Sequence, residues 1–278
     1  MAAISSSKVG AALVMLLALL AAGAGPAAGA TSTRPGCFVG WSPLKTVSSL
    51  FCLLRGPNPF PGPKPAPPGQ ALSVGYYSKS GTSYYCPRAE QLVREAVVNA
   101  TSGQNRGLGA GLIRLHFHDA FVRSFADETD QLPGPGSTVQ QLKDSFAAQG
   151  LSLTDMVTLS GAHTIGVARC MFFTSRLSSM DPGYAKNLND TCNAGGPSTR
   201  VNQDYNTPVD LDNQYYKNID KFVLFASDAA LRSNETIAQV TANAGDYSNW
   251  EKDFGEAMVK MGKIGVITTP GYGAEIRK

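Results

Sequence analysis

From Pro87 onward the apolar residues of this chain recur at three- and four-residue intervals, the spacing that lines one face of an α-helix. "PRAEQLVREAVVNA" opens on Pro87, which suits a first helical position, and carries spaced Leu and Val. "LGAGLIRLHFHDAFVR" continues the pattern. Ser152 and Asp155 approximate a capping box ahead of "MVTLSGAHTIG", which predicts a helix start there. In "NWEKDFGEAMVKMGKIG", Trp250, Phe254, Ala257 and Met261 fall on one helical stripe. Alternating strand patterns are scarce and no repeat of solenoid length is present. The predicted class is mainly α.

Upstream the pattern changes twice. "SSSKVGAALVMLLALLAAGAGPAAGA" has one early cation, an apolar run, then small residues, the layout of a secretory signal over residues 1–30. The run is short for a membrane span, and no later segment predicts one. Residues 31–71 contain "RGPNPFPGPKPAPPGQ", where proline fixes φ and withholds backbone donors, so a disordered lead-in is expected. "YYSKSGTSYYCP" reads as a small insertion. A net charge of +3 over 278 residues argues against a nucleic-acid partner. Sequons at Asn99, Asn189 and Asn234 agree with a secretory glycoprotein. The cysteines, Cys37, Cys52, Cys86, Cys170 and Cys192, number 5, so at least one thiol is left over or pairs between chains.

The chemistry concentrates in the 3 histidines, His116, His118 and His163. At roughly 100° per residue, Arg114, Phe117, His118 and Phe121 share one helical face and His116 points nearly the opposite way. A fixed cation beside an imidazole suits cleavage of a small bound molecule, one group moving a proton and the other stabilising developing negative charge. An amphipathic helix with a capped histidine fits the same spacing. His163 falls on the stripe of Met156 and Leu159, which reads either as a core histidine or as an axial ligand to haem iron. A zinc site from the histidines and Asp119 is weak, because His116 and His118 diverge.

"RLHFHDAFV" (Arg114–Val122), "DMVTLSGAHTIGVARC" (Asp155–Cys170), "NTPVDLDNQYY" (Asn206–Tyr216) and "FASDAAL" (Phe225–Leu231) together resemble the secretory plant haem peroxidases, class III. "LSVGYYSKS" and "YGAEIRK" resemble the two ends of the same domain, so the likeness spans most of residues 72–278. The resemblance implies a helical fold holding haem b between a distal and a proximal helix. It implies that His118 is the distal acid/base, Arg114 stabilises charge as the peroxide bond breaks, and Phe117 shields the iron. His163 becomes the axial ligand, with Asp228 accepting its other ring proton. Pro133 lies where phenolic donors bind. Thr164, Asp204, Thr207, Asp210 and Asp212 match a proximal Ca²⁺ site, Asp210 through its backbone oxygen. Cys170 and Cys192 match a family disulfide. The implied substrates are hydrogen peroxide and small phenols, with a monomer, no membrane and no nucleic acid. The implied location is extracellular, in cell wall or apoplast, with the vacuole as the other destination.

The resemblance breaks after Arg123. There "SFADETDQLPGP" resembles family sequence from well beyond the distal helix, so a contiguous block with several central helices is missing at the 123/124 junction. A distal part, 72–123, thus joins a proximal part, 124–278. Asp119 and the Val122 carbonyl remain of the distal calcium set, the asparagine that orients the distal histidine is gone, and Cys86 has lost its partner. The family's last half-cystine lies beyond the match to Lys278. Uncovering a few hundred Å² of apolar surface, at about 25 cal/mol per Å², rivals the stability of a domain. Two functions follow from the resemblance: a secreted haem peroxidase, or an inactive truncated, splice-type homologue without redox turnover.

Overall fold

Helices dominate, as the periodicity predicts. The structure, a computed structural model, describes residues 75–78, 80, 85–102, 107–121 and 132–266. The signal segment, the Pro-rich lead-in, Cys37, Cys52, Val122, the 123/124 junction and "YGAEIRK" lie outside the described residues.

Helix α1 (Ala89–Thr101) packs on α2 (Gly107–Phe121). Pro87 does not take the first position of α1. It sits in a turn closed by the Ala89 amide donating to the Cys86 carbonyl at 2.9 Å, and Arg88 caps the helix without a side-chain bond. Helices α3 (Val139–Ala148) and α4 (Leu153–Ser160) follow, each opened by a full capping box, Thr138 with Gln141 and Ser152 with Asp155. A 3-10 turn (Gly161–Thr164) then leads into strand β1 (Val167–Arg169). After two more 3-10 turns come α5 (Pro182–Gly195), β2 (Arg200–Asn202), α6 (Gln214–Asn218), α7 (Ala226–Ala230), α8 (Ile237–Gly245) and α9 (Tyr247–Met261). The strands pair antiparallel with Ala168 opposite Val201, the sole sheet among the described residues.

The main core forms where α9 lies against α4. The predicted stripe is buried as a unit, with Trp250, Phe254, Ala257 and Met261 between 1% and 2% exposed, and it meets Met156 and Val157 of α4. Ile113, Ala120 and Phe121 join α2 to the same core, Phe121 edge-on to Phe146 at 5.3 Å. A second cluster gathers Ala168, Phe173, Tyr184, Leu188 and Leu224 around a disulfide between Cys170 and Cys192. That pairing is the one the resemblance implied. Cys86 is exposed and has no disulfide partner among the described residues.

Gly161 is required where α4 ends. A Cβ there would come within 2.6 Å of the Tyr216 hydroxyl and 2.9 Å of the Trp250 indole. This close approach seats the 3-10 turn on α6 and α9. The α-helical stripe predicted through His163 therefore stops early: α4 ends at Ser160, and the chain tightens to 3-10 geometry before His163.

Candidate active site

His163 does not point into apolar packing like Met156 and Leu159. Its Nδ1 donates to Asp228 Oδ1 at 2.8 Å, and its side chain is 40% accessible against 4% for Asp228. Asp228 is fixed from three directions: by His163, by the Tyr215 hydroxyl donating to Oδ1 at 2.9 Å, and by the Phe225 amide donating to Oδ2 at 3.3 Å. The Phe225 and Tyr215 rings stand edge-on to the imidazole, at 5.4 and 6.2 Å. Tyr215 and Phe225 carried no functional signal in the sequence, since their partner lies on another element.

Desolvation is the largest influence on the His163 pKa and lowers it, yet the charge and hydrogen bond of Asp228 outweigh it and the net shift is upward. With the proton on Nδ1, Nε2 keeps a lone pair, and no hydrogen bond engages it among the described residues. This is the donor set an axial ligand to haem iron needs, and the residues present fit the group.

Helix α2 carries the remaining residues expected at the haem. Arg114 is exposed, while Phe117 and His118 are half-buried, with their rings 5.9 Å apart. The Arg114 charge opposes protonation of both His118 and His163, so these groups share one electrostatic space. The His118 pKa is lowered first by desolvation and then by Arg114, which keeps the ring neutral and able to accept a proton at pH 7. Nothing hydrogen-bonds the His118 ring among the described residues. His116 does point the other way, as its spacing predicts. It is 2% exposed with Nε2 bonded to the Met258 carbonyl at 3.2 Å, a core histidine tying α2 to α9.

The expected calcium residues partly assemble. Thr164 donates to Asp212 Oδ1 at 2.9 Å and approaches Asp204 Oδ2 at 3.5 Å. Asp204 Oδ1 accepts the Asn206 and Thr207 amides at 2.6 and 2.8 Å. Burial pushes the Asp204 carboxyl up, and the nearby Asp212 charge adds to it. Thr207 Oγ1 is buried without a partner. Two carboxylates beside an orphaned hydroxyl fit a hard cation. Asp210 is exposed and linked by its amide to the Thr207 carbonyl at 3.1 Å. Asp119 is exposed, and the described residues contain no group of three or more His, Cys, Asp or Glu placed to hold a metal. Pro133 is partly buried, in a segment anchored where the Ser227 amide donates to the Pro135 carbonyl at 3.0 Å, next to Asp228.

A family model described as Peroxidase matches residues 123–246. Peroxidase 1 of Zea mays is 31% identical over 313 aligned positions, covering 77% of this chain and 83% of the relative. Peroxidase 2 of Zea mays is 31% identical, over 77% of this chain and 89% of its own. Peroxidase 40 of Arabidopsis thaliana is 43% identical across 58% of this chain, but only 49% of its own length. An alignment of 313 positions is longer than the 278-residue chain, so it bridges positions that have no counterpart here. With relatives of this identity and coverage, the chain belongs to the plant haem peroxidase family.

Proposed function

We propose that this chain is a secreted enzyme that reduces hydrogen peroxide and oxidises small phenols by single electrons. Bound haem supplies the redox change that splits the peroxide bond. Around it, His163 Nε2 would hold the iron. Asp228 holds the Nδ1 proton, fixes the tautomer and makes the imidazole a stronger donor. His118 takes a proton from one peroxide oxygen and returns it to the other as water leaves, while Arg114 stabilises the charge between those events. Phe117 limits access above, and Pro133 borders the entry for phenolic donors. Calcium on Thr164, Asp204, Thr207, Asp212 and the Asp210 carbonyl braces the turn carrying His163. The leader over residues 1–30 and exposed Asn99, Asn189 and Asn234 support export and glycosylation. No helix among the described residues is long and apolar enough to cross a membrane.

One observation carries this reading: an accessible imidazole held at Nδ1 by a buried carboxylate. Protein supplied with haem and Ca²⁺ is expected to show a Soret band and peroxide-dependent phenol oxidation. His163→Ala should lose the band, whereas His118→Ala should keep it and slow peroxide cleavage. Equal haem binding by both variants would reverse or remove the assigned roles.

A second reading, an inactive truncated homologue, is favoured by the uncovered first two helices. Leu92 of α1 and Leu115 of α2 are 50% and 61% exposed, and no hydrogen bond orients His118 among the described residues. The alignment positions without counterpart point the same way. Transcript sequence across Arg123–Ser124 decides whether a block is spliced out; its recovery in the main transcript removes this reading.

A further inference from the structure

Beyond the site, the aromatic residues form an unbroken series from His163 outward. The His163 ring is 6.2 Å from Tyr215, Tyr215 is 5.0 Å from Tyr216, Tyr216 is 6.1 Å from Trp250, and Trp250 is 6.0 Å from Tyr247. The inner three are 1–2% exposed, while Tyr247 opens α9 and is partly exposed. We propose that these rings are an electron relay, so that Tyr247 serves as an outlying oxidation site for phenolic donors that do not enter the haem site.

The hydrogen bonds suit the traffic. Oxidising a phenol requires somewhere for its proton to go, and at the outer end of the series Tyr247 has a carboxylate for it, being hydrogen-bonded to Glu251. At the inner end the Tyr215 hydroxyl is fixed on Asp228 at 2.9 Å. Between them, the Tyr216 hydroxyl donates toward the Val157 and Thr158 carbonyls, at 2.9 and 2.8 Å, which take no proton. Tyr216 therefore bridges without releasing its own proton. Trp250 donates Nε1–H to the Tyr216 oxygen at 3.0 Å. An indole can give up an electron and keep that proton, so it fits the interior step. Short hops between π-systems outpace a single long one because tunnelling falls steeply with distance.

The balance closes. Hydrogen peroxide takes two electrons and two protons and leaves as two waters. Both electrons are drawn in turn from Tyr247 through the relay, each time breaking its O–H bond and passing the proton to Glu251 and on to solvent, which supplies the two protons the peroxide takes up. Two external phenols then each return one electron and one proton to Tyr247 and leave as phenoxyl radicals.

The relay rests on haem binding at His163. Haem-loaded protein would be given a single equivalent of hydrogen peroxide with a nitroso spin trap and no phenol, then digested for peptide mass spectrometry. The expected result is a trap adduct on Tyr247, lost in Trp250→Phe and displaced to inner rings in Tyr247→Phe. Turnover of a small phenol should stay unchanged in Tyr247→Phe. An adduct on Tyr247 that survives Trp250→Phe overturns the relay, as does a wild type that consumes peroxide without marking Tyr247. A wild type whose Soret band never responds to peroxide sinks the parent reading and the relay together, which keeps the two failures apart.

Discussion

At the scale of single residues, the site depends on how Asp228 is held. Three hydrogen-bond donors converge on its buried carboxylate, and the bond from His163 fixes that ring's proton on Nδ1. Tyr215→Phe removes one donor and almost no volume. The carboxylate then sits less well solvated by the protein, and we expect a stability loss of about 1–3 kcal/mol in urea unfolding. An unchanged midpoint would mean that Tyr215 merely packs. Gly161 tests the neighbouring constraint, for Gly161→Ala must displace Tyr216 or Trp250 and so tilt the turn that carries His163. The expected outcome is weaker haem retention with α-helical content preserved, read by the Soret band and far-ultraviolet circular dichroism.

At the scale of elements, what could be read in advance was periodic or local. The α9 stripe was visible because four apolar residues at helical spacing can bury together only on one face. The Ser152 capping box was visible because both partners lie within one turn. His116 and His118 separated correctly because a rigid helix sets their directions. The failures are equally physical. Periodicity carries no sign that a helix will tighten into a 3-10 turn, so His163 was assigned to the wrong surroundings. Nor does it show contacts made across the chain, such as Tyr215 to Asp228, His116 to Met258, or Lys260 to Asp155. Roles at the haem and calcium sites came from family resemblance, not from spacing.

The Asp155–Lys260 contact also predicts a pH dependence. Both Asp155 oxygens accept from Lys260 Nζ at 2.8 Å, joining the start of α4 to the end of α9. Burial alone would raise the Asp155 pKa, but the bonds from Lys260 and Ser152 outweigh it and hold the carboxyl below its ordinary value. A depressed carboxylate stabilises the fold fully above its unfolded pKa and loses that contribution as pH falls through the folded one. Lys260 is 55% exposed in its side chain, so solvent limits the pair to about 1 kcal/mol. Asp155→Asn should therefore lower the unfolding midpoint at neutral pH and make little difference in strong acid. A deficit that persists there would assign the effect to packing.

For the whole molecule, the disposition of α2 governs whether the site works as a unit. The residues expected on the iron side belong to the α4 end, α6 and α7, packed through the dense core with α9. The remaining residues expected at the haem ride on α2, which reaches that core through Ile113, His116, Ala120 and Phe121, while Leu115 faces outward. Without haem, α2 has fewer anchors than α4 or α9, and local opening follows the weakest attachments. Amide exchange should accordingly be fastest in Ala89–Thr101 and Gly107–Phe121 and slowest in Leu153–Ser160 and Tyr247–Met261. A ligand that binds only the folded arrangement shifts that equilibrium toward it. Haem held by His163 and covered by Arg114, Phe117 and His118 should thus slow exchange in Gly107–Phe121 as well as in the turn at Gly161–Thr164. Protection confined to the turn would show that α2 does not close over the cofactor, and the truncated, inactive reading would then be the better one.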